Sequence, residues 1–457
     1  MGAFRAASAI RGGEITSERL VSACIARIGE REPLVRAFVD LQPEQALARA
    51  RELDRRRPEA HEHLYGVPVA VKEAFDVEGF HCGWGTRIHT GRVASKDAAV
   101  VARLKAAGAV IIGTAVSTEY AIAAAGPTTN PHDPRRSPGG SSSGSAAAVA
   151  SEMVPLALGS QSIGSIVRPS IYCGVLGLKP TRGAISTRGC MPLAQELDHV
   201  GPIARHVEDI ALACRVAFGY DPLDPVSVEV TPPDLDTAPP ITNVLQVTGP
   251  LRDRVQEASS EAIQRATAAF RRSGVPVKTV DLPEDFDRIE DCIFTLLCRG
   301  IAAHHGADYD RHAELMSQRM RELVVRGRNI DSAEHAAAID YARDLTNTLM
   351  QLLEPGTVIV NIATDGIAPA LAEGTGSPLL QGLWTVTGLP ALAVPCGAAG
   401  GMPIGIQLAA APGQESLLLS AGKVLQQNLR ADEQNGSGRK KYSRFPTMRP
   451  KGKATRS

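Results

Sequence analysis

The stretch richest in groups able to do chemistry is Ser137-Pro-Gly-Gly-Ser-Ser-Ser-Gly-Ser145. It is followed by Gly159-Ser-Gln-Ser-Ile-Gly-Ser-Ile-Val-Arg-Pro169 and then Cys173-Gly-Val-Leu-Gly-Leu-Lys-Pro-Thr181. Serine hydroxyls are potential nucleophiles, but weak ones unless something removes the proton as they attack. A Gly/Ser tract is ordinarily a flexible linker. Here Val149, Met153, Val154, Leu156 and Leu158 lie between the two tracts and tie both to a core. Two serine loops pinned at a core edge can present hydroxyls and main-chain N–H groups to one point. Other readings of the glycines fail. A phosphate-binding loop needs a closing Gly-Lys-Ser/Thr, which is absent. Gly140-Ser-Ser-Ser-Gly144 fits the G-x-S-x-G string of a nucleophile elbow, but that elbow needs a strand just before it. The preceding Asn130-Pro-His-Asp-Pro-Arg-Arg-Ser-Pro138 is too proline-rich for a central strand.

The elements that must position these loops read as alternating strands and helices. Residues 14–30 predict an amphipathic helix capped by Thr16, and Pro43 to Arg57 a second. Gly66 to Lys72 predicts a short buried strand, Ala98 to Ala107 a helix stopped at Gly108, and Ala109 to Gly113 a buried strand. Residues 126–145 read as loop, Ala146 to Ala150 as the start of a helix, and Val154 to Leu158 as a strand. Asn243 to Val247, Gln256 to Arg272 and Val275 to Val280 form a strand–helix–strand run, which argues for α/β layers with parallel strands. Residues 285–350 read as mostly helical. Val358 to Val360 and Ala391 to Val394 return to strand.

Composition narrows the class. The 457 residues are 44% hydrophobic and 21% charged, ordinary for a globular protein. Lys+Arg and Asp+Glu are 49 each, which argues against a nucleic-acid binder relying on a basic surface. The neutrality is uneven: Arg439 to Ser457 holds eight basic residues and no acids, leaving a body of net charge −8. Residues 1–430 read as one domain, and 431–457 as a basic, disordered tail. No run reaches the ~18–20 apolar residues of a membrane span, and residues 1–14 do not read as a signal peptide. Eight scattered cysteines without a C-x-x-C pair suggest reduced thiols and a cytoplasmic protein.

The serine tracts resemble those of the amidase signature family, serine hydrolases that cleave amide bonds. The resemblance extends in family order over roughly residues 15–427. It takes in Gly66-Val-Pro-Val-Ala-Val-Lys72-Glu73, Glu119-Tyr-Ala121, Asn130-Pro131, Leu197-Asp198 with Gly201-Pro202, Gly388-Leu-Pro390 and Gly401-Met-Pro-Ile-Gly-Ile-Gln407. It implies one α/β/α unit around a large mixed, twisted sheet. It also implies a catalytic Lys72, a relay Ser141 preceded by a cis peptide, and a nucleophile Ser165. Main-chain N–H groups of Ser162, Ile163 and Gly164 would form the oxyanion hole. Ser142 is the alternative to Ser141, and Ser160 or Ser162 to Ser165. Gln161 departs from the family's common Asp, Ile163 from Gly, Ser143 from Gly and Thr114 from Lys.

The implied chemistry suits the residue types. Lys72 can act as a base only when neutral, so its pKa of ~10.4 must fall toward ~7, and the apolar run Val67 to Val71 makes burial plausible. Ser141 would relay the proton, and main-chain donors would hold the oxyanion, an effect worth ~10²–10³ in rate per donor. No metal or organic cofactor is called for. His132, His199, His304 and His305 fit no triad and read as solvated or structural. Arg168 reads as a structural salt bridge, with a substrate-carboxylate anchor as the alternative. The expected partner is a small-molecule amide, with neither nucleic acid nor membrane engaged and a homodimer as the candidate assembly. The alternative is an ammonia-releasing subunit of a multi-chain amidotransferase. Substrate preference is expected to lie in segments 120–128, 285–330 and 362–380.

Overall fold

A computed structural model describes residues 1–248, 255–282 and 288–435. The last helix, Glu415–Asn435, carries the chain into the region read as tail. The basic run beyond it lies outside the described residues, as do positions 283–287 of the helical stretch.

Local signals account for many elements. Thr16 caps the helix Ser17–Val35 by accepting from Arg19 N at 3.1 Å, and Val21, Cys24 and Ile28 form its buried stripe. Among the described residues eleven strands make one sheet: β1 (Phe38–Leu41), β2 (Pro68–Lys72), β3 (Val110–Ala115), β4 (Leu156–Gln161), β5 (Leu176–Lys179), β6 (His199–Ala204), β7 (Asn243–Thr248), β8 (Val277–Asp281), β9 (Thr357–Ile362), β10 (Ala391–Ala399) and β11 (Met402–Ala409). Their order is β1-β3-β2-β4-β6-β5-β10-β11-β9-β7-β8. β3, β2 and β4 run parallel, as do β9, β7 and β8, and antiparallel strands join the two groups. The sheet is therefore mixed, as expected.

Both faces are covered, and the period of two assigns side chains to layers. Val69, Val71, Leu156, Leu158, Leu392 and Val394 enter one core with the helices Ala99–Ala106, Val207–Ala217 and Glu257–Arg272. The intervening Ala70 and Ala157 enter a second core with the helices Ser17–Val35, Pro43–Asp54 and Ser143–Ala150. Ala391 and Ala393 meet the helices Ile289–His312, Gln318–Asn329 and Ser332–Leu352 on that same side of the sheet. This is a three-layer α/β/α arrangement.

Candidate active site

Lys72 is the last residue of β2. By alternation it shares the face of Ala70, under the helix Ser143–Ala150. Its side chain is fully buried, and Nζ donates to Ser141 Oγ at 2.8 Å and to Ser160 Oγ at 2.9 Å. Burial pushes its pKa from the ordinary 10.5 to about 7, against the opposing pull of Cys190, Glu73 and Asp198. Ser160 enters the sequence reading only as an alternative nucleophile; the structure makes it a second acceptor for this amine.

Ser141 follows a cis Gly140–Ser141 peptide. The approach to it is glycine-dependent. Gly139 has φ +80°, and a Cβ there would stand 2.8 Å from Pro169 Cα. The neighbouring serines are structural. Ser142 Oγ donates to Ser160 O at 3.1 Å, Ser143 Oγ to Val116 O at 3.2 Å, and Ser145 Oγ to Leu158 O at 2.9 Å. These bonds let buried hydroxyls sit against sheet strands, so the helix begins at Ser143, earlier than expected. Gly144 lets that helix approach closely, since a Cβ would lie 2.2 Å from Ala37 O.

The second tract leaves β4 and turns into the helix Val167–Cys173. Gln161 Oε1 accepts from Ile166 N at 2.8 Å and Val167 N at 3.0 Å, satisfying two donors where the helix begins. Its Nε2 donates to Thr385 Oγ1 at 3.0 Å, and Thr385 Oγ1 donates to Ile163 O at 2.6 Å. Gln161, a departure from the family pattern, is thus an integrated part of the loop. On the other side Ser162 Oγ donates to Asp198 Oδ1 at 2.5 Å. Among the described residues, the N–H groups of Ser162, Ile163 and Gly164 donate to no protein acceptor.

The two tracts meet through the main chain, with Ser142 N donating to Ser165 O at 3.2 Å. Ser141 and Ser165 are 2% and 4% exposed. Among the described residues no hydrogen bond links their hydroxyls, so the direct bond runs from Lys72 to Ser141 and stops there. Catalytic hydrogen bonds commonly tighten only with substrate in place.

Arg168 corrects the sequence reading. It is buried and, among the described residues, makes no ion pair. Its guanidinium donates to Gly140 O at 2.7 and 3.2 Å and to Gly376 O at 2.8 Å. Carbonyls satisfy it in place of the expected salt bridge, so it braces the peptide before Ser141. Three of the four histidines are held by main-chain carbonyls, as expected of structural ones. His132, His199 and His305 bond to the carbonyls of Cys173, Leu197 and Pro192. His304 lines a cavity of about 230 Å³ with Ala121, Ser160, Ser162, Cys190 and Asp198. Ala121 and His304 come from segments expected to shape a pocket; the wall 190–198 does not.

All eight cysteines are free. Among the described residues no cluster of three His, Cys, Asp or Glu side chains could hold a metal ion. No helix among them is long and apolar enough to cross a membrane. Thr385 gives no signal in the sequence: it lies 224 residues from Gln161 in a helix, Leu379–Val386, with no motif of its own.

Known proteins resemble this chain over nearly its whole length. The Amidase family model matches residues 19–347. A glutamyl-tRNA(Gln) amidotransferase subunit of Anaeromyxobacter sp. is 34% identical, the alignment covering 94% of this chain and 96% of the relative. A chain from an unexpected vestigial protein complex bearing on the origins of an s-triazine catabolic enzyme is 34% identical, with a TM-score of 0.86. That match covers 93% of this chain and 98% of the other. Peptide amidase from Stenotrophomonas maltophilia superposes with a TM-score of 0.82 at 27% identity, over 94% and 97% of the two chains. By family, fold and the serine tracts that fold brings together, this chain belongs to the amidase signature enzymes, hydrolases of carbon–nitrogen bonds other than peptide bonds.

Proposed function

We propose that the protein hydrolyses a carboxamide bond of a small molecule through Lys72, Ser141 and Ser165. Neutral Lys72 takes the proton of Ser141 as Ser141 takes that of Ser165. The Ser165 Oγ–C bond forms, and the carbonyl π electrons move to oxygen. The N–H groups of Ser162, Ile163 and Gly164 stabilise that oxyanion. As the C–N bond breaks, the proton returns through Ser141 to the leaving nitrogen, leaving an acyl-enzyme. Water then attacks the ester along the same path and releases the acid, regenerating Ser165.

The observation that carries this reading is the buried Lys72 amine, 2.8 Å from Ser141 Oγ and held near neutrality in pKa. The test is ammonia release from acetamide, hexanamide, benzamide, biuret and glutamine, with labelling by an alkyl fluorophosphonate. Ser165→Ala is expected to abolish labelling and lower turnover by several orders of magnitude while the fold persists. Near-normal turnover by that variant would contradict the assignment.

A second reading is favoured by the near-full-length similarity to an amidotransferase component. In it the same chemistry releases ammonia within a multi-chain assembly. Co-purification of a partner chain, with glutamine hydrolysis that depends on it, would select this reading over a self-sufficient amidase.

A further inference from the structure

Asp198 belongs to none of the roles above, yet it sits opposite the oxyanion loop. β4 and β6 are antiparallel, with Ser160 facing Val200 and Gln161 facing His199. One step further along that register places Ser162 opposite Asp198. Beyond the last ladder pair, the strands are joined by side chains, Ser162 Oγ donating to Asp198 Oδ1 at 2.5 Å. The other carboxylate oxygen accepts from Leu193 N at 2.8 Å and Ala194 N at 3.1 Å. Asp198 N itself bonds Ala194 O at 2.9 Å. The carboxylate is therefore fixed by the turn 193–198 and has one oxygen left to hold Ser162.

We propose that Asp198 is a positioning residue that sets the aim of the oxyanion loop through the Ser162 side chain. The inference rests on the reading that the N–H groups at 162–164 bind the developing oxyanion. Ser162 supplies one such donor, and its own hydroxyl is the handle by which its main chain is oriented. Across the loop the Thr385–Ile163 O bond provides a second tether. With one tether gone the three donors no longer point at one atom. The loss falls on the transition state and spares ground-state binding.

The experiment uses an alkyl fluorophosphonate, whose P=O oxygen must enter the same donors as Ser165 is phosphonylated. It does not require the natural substrate. Ser162→Ala removes the tether and keeps the main-chain donor. Its inactivation rate constant is expected to fall tenfold to a hundredfold with KI changed less than threefold, and hexanamide turnover to follow in kcat. Ser162→Thr retains the hydroxyl and should recover at least half of that loss on a logarithmic scale. Asp198→Ala should match Ser162→Ala, and the double variant should be no worse than either single. If Asp198→Ala does not fold, Ser162→Ala decides alone. An unchanged inactivation rate, a loss confined to KI, or additive losses in the double variant overturn the proposal. Ser165→Ala is run in parallel. If it still labels, the catalytic reading itself fails; if it is inert while Ser162→Ala is normal, only the role of Asp198 fails.

Discussion

Replacing Lys72 with methionine tests the central feature of the site in two independent ways. A lysine at its ordinary value near 10.5 is a free amine in roughly one molecule in 3000 at pH 7, whereas at about 7 it is free in about half. For the wild type, kcat/KM for hexanamide is therefore expected to rise with unit slope below pH 7 and level off above it. Asp198, pushed up to about 6 by burial, protonates on the lower part of the same limb, so the half-rise near pH 7, and not the limiting slope, is the quantity to read. Lys72→Met should lose about 10²–10⁴-fold and show no such limb. Stability moves the other way. Because the folded-state pKa is depressed, the folded protein holds fewer protons than the unfolded chain between about pH 7 and 10.5. The penalty is fully present below that window and disappears as the pH rises through it. It amounts to roughly 5 kcal/mol at most. Leaving the Ser141 and Ser160 hydroxyls unpartnered costs about 1–3 kcal/mol each in return, an amount that does not vary over this pH range. The Tm of Lys72→Met by calorimetry should stand highest relative to the wild type at pH 6, with that relative advantage falling by several degrees toward pH 10. A flat rate profile from pH 5 to 9, or a Tm difference between variant and wild type that does not change with pH, would refute a neutral buried amine.

Two further outcomes probe the supports of the site. Thr385→Val removes the partner of both Gln161 Nε2 and Ile163 O, so kcat should fall about tenfold with KM little changed, and stability by about 1–3 kcal/mol in urea unfolding. Arg168→Lys keeps a cation but cannot span Gly140 O and Gly376 O with a planar fork; fluorophosphonate labelling should slow at least tenfold, whereas adding carboxylate to hexanamide-sized substrates should change relative rates equally in variant and wild type.

The parallel edges of the sheet are readable because their strands are continuous apolar runs, as at Val67 to Val71 and Ala109 to Gly113. The middle is not. β6 reads His-Val-Gly-Pro-Ile-Ala, and Gly201 with Pro202 argues against a central strand, yet Pro202 pairs opposite Leu158. The helix Ser143–Ala150 looks shorter in the sequence because serine favours caps and loops, and only the carbonyls of Val116, Leu158 and Ser160 make those hydroxyls tolerable inside. At the site, Lys72, Ser141 and Ser165 are legible through motifs confined to short spans. The tethers are not. Asp198 appears only as part of a recurring string, and Thr385 acts from a distant helix whose approach depends on the finished sheet. Arg168 misleads because an arginine among apolar neighbours suggests a carboxylate partner, whereas main-chain oxygens suffice.

The chain order of these supports has a biosynthetic consequence. The amine, the hydroxyls and the carboxylate are all translated by residue 198, but the threonine that clasps Ile163 belongs to the helix Leu379–Val386. A nascent polypeptide halted near residue 350 carries Lys72, Ser141, Ser165 and Asp198 and lacks the clasp. The surroundings of the loop are thus completed late in synthesis: the clasp, together with β9, β10 and β11 of the sheet, follows a loop made some two hundred residues earlier.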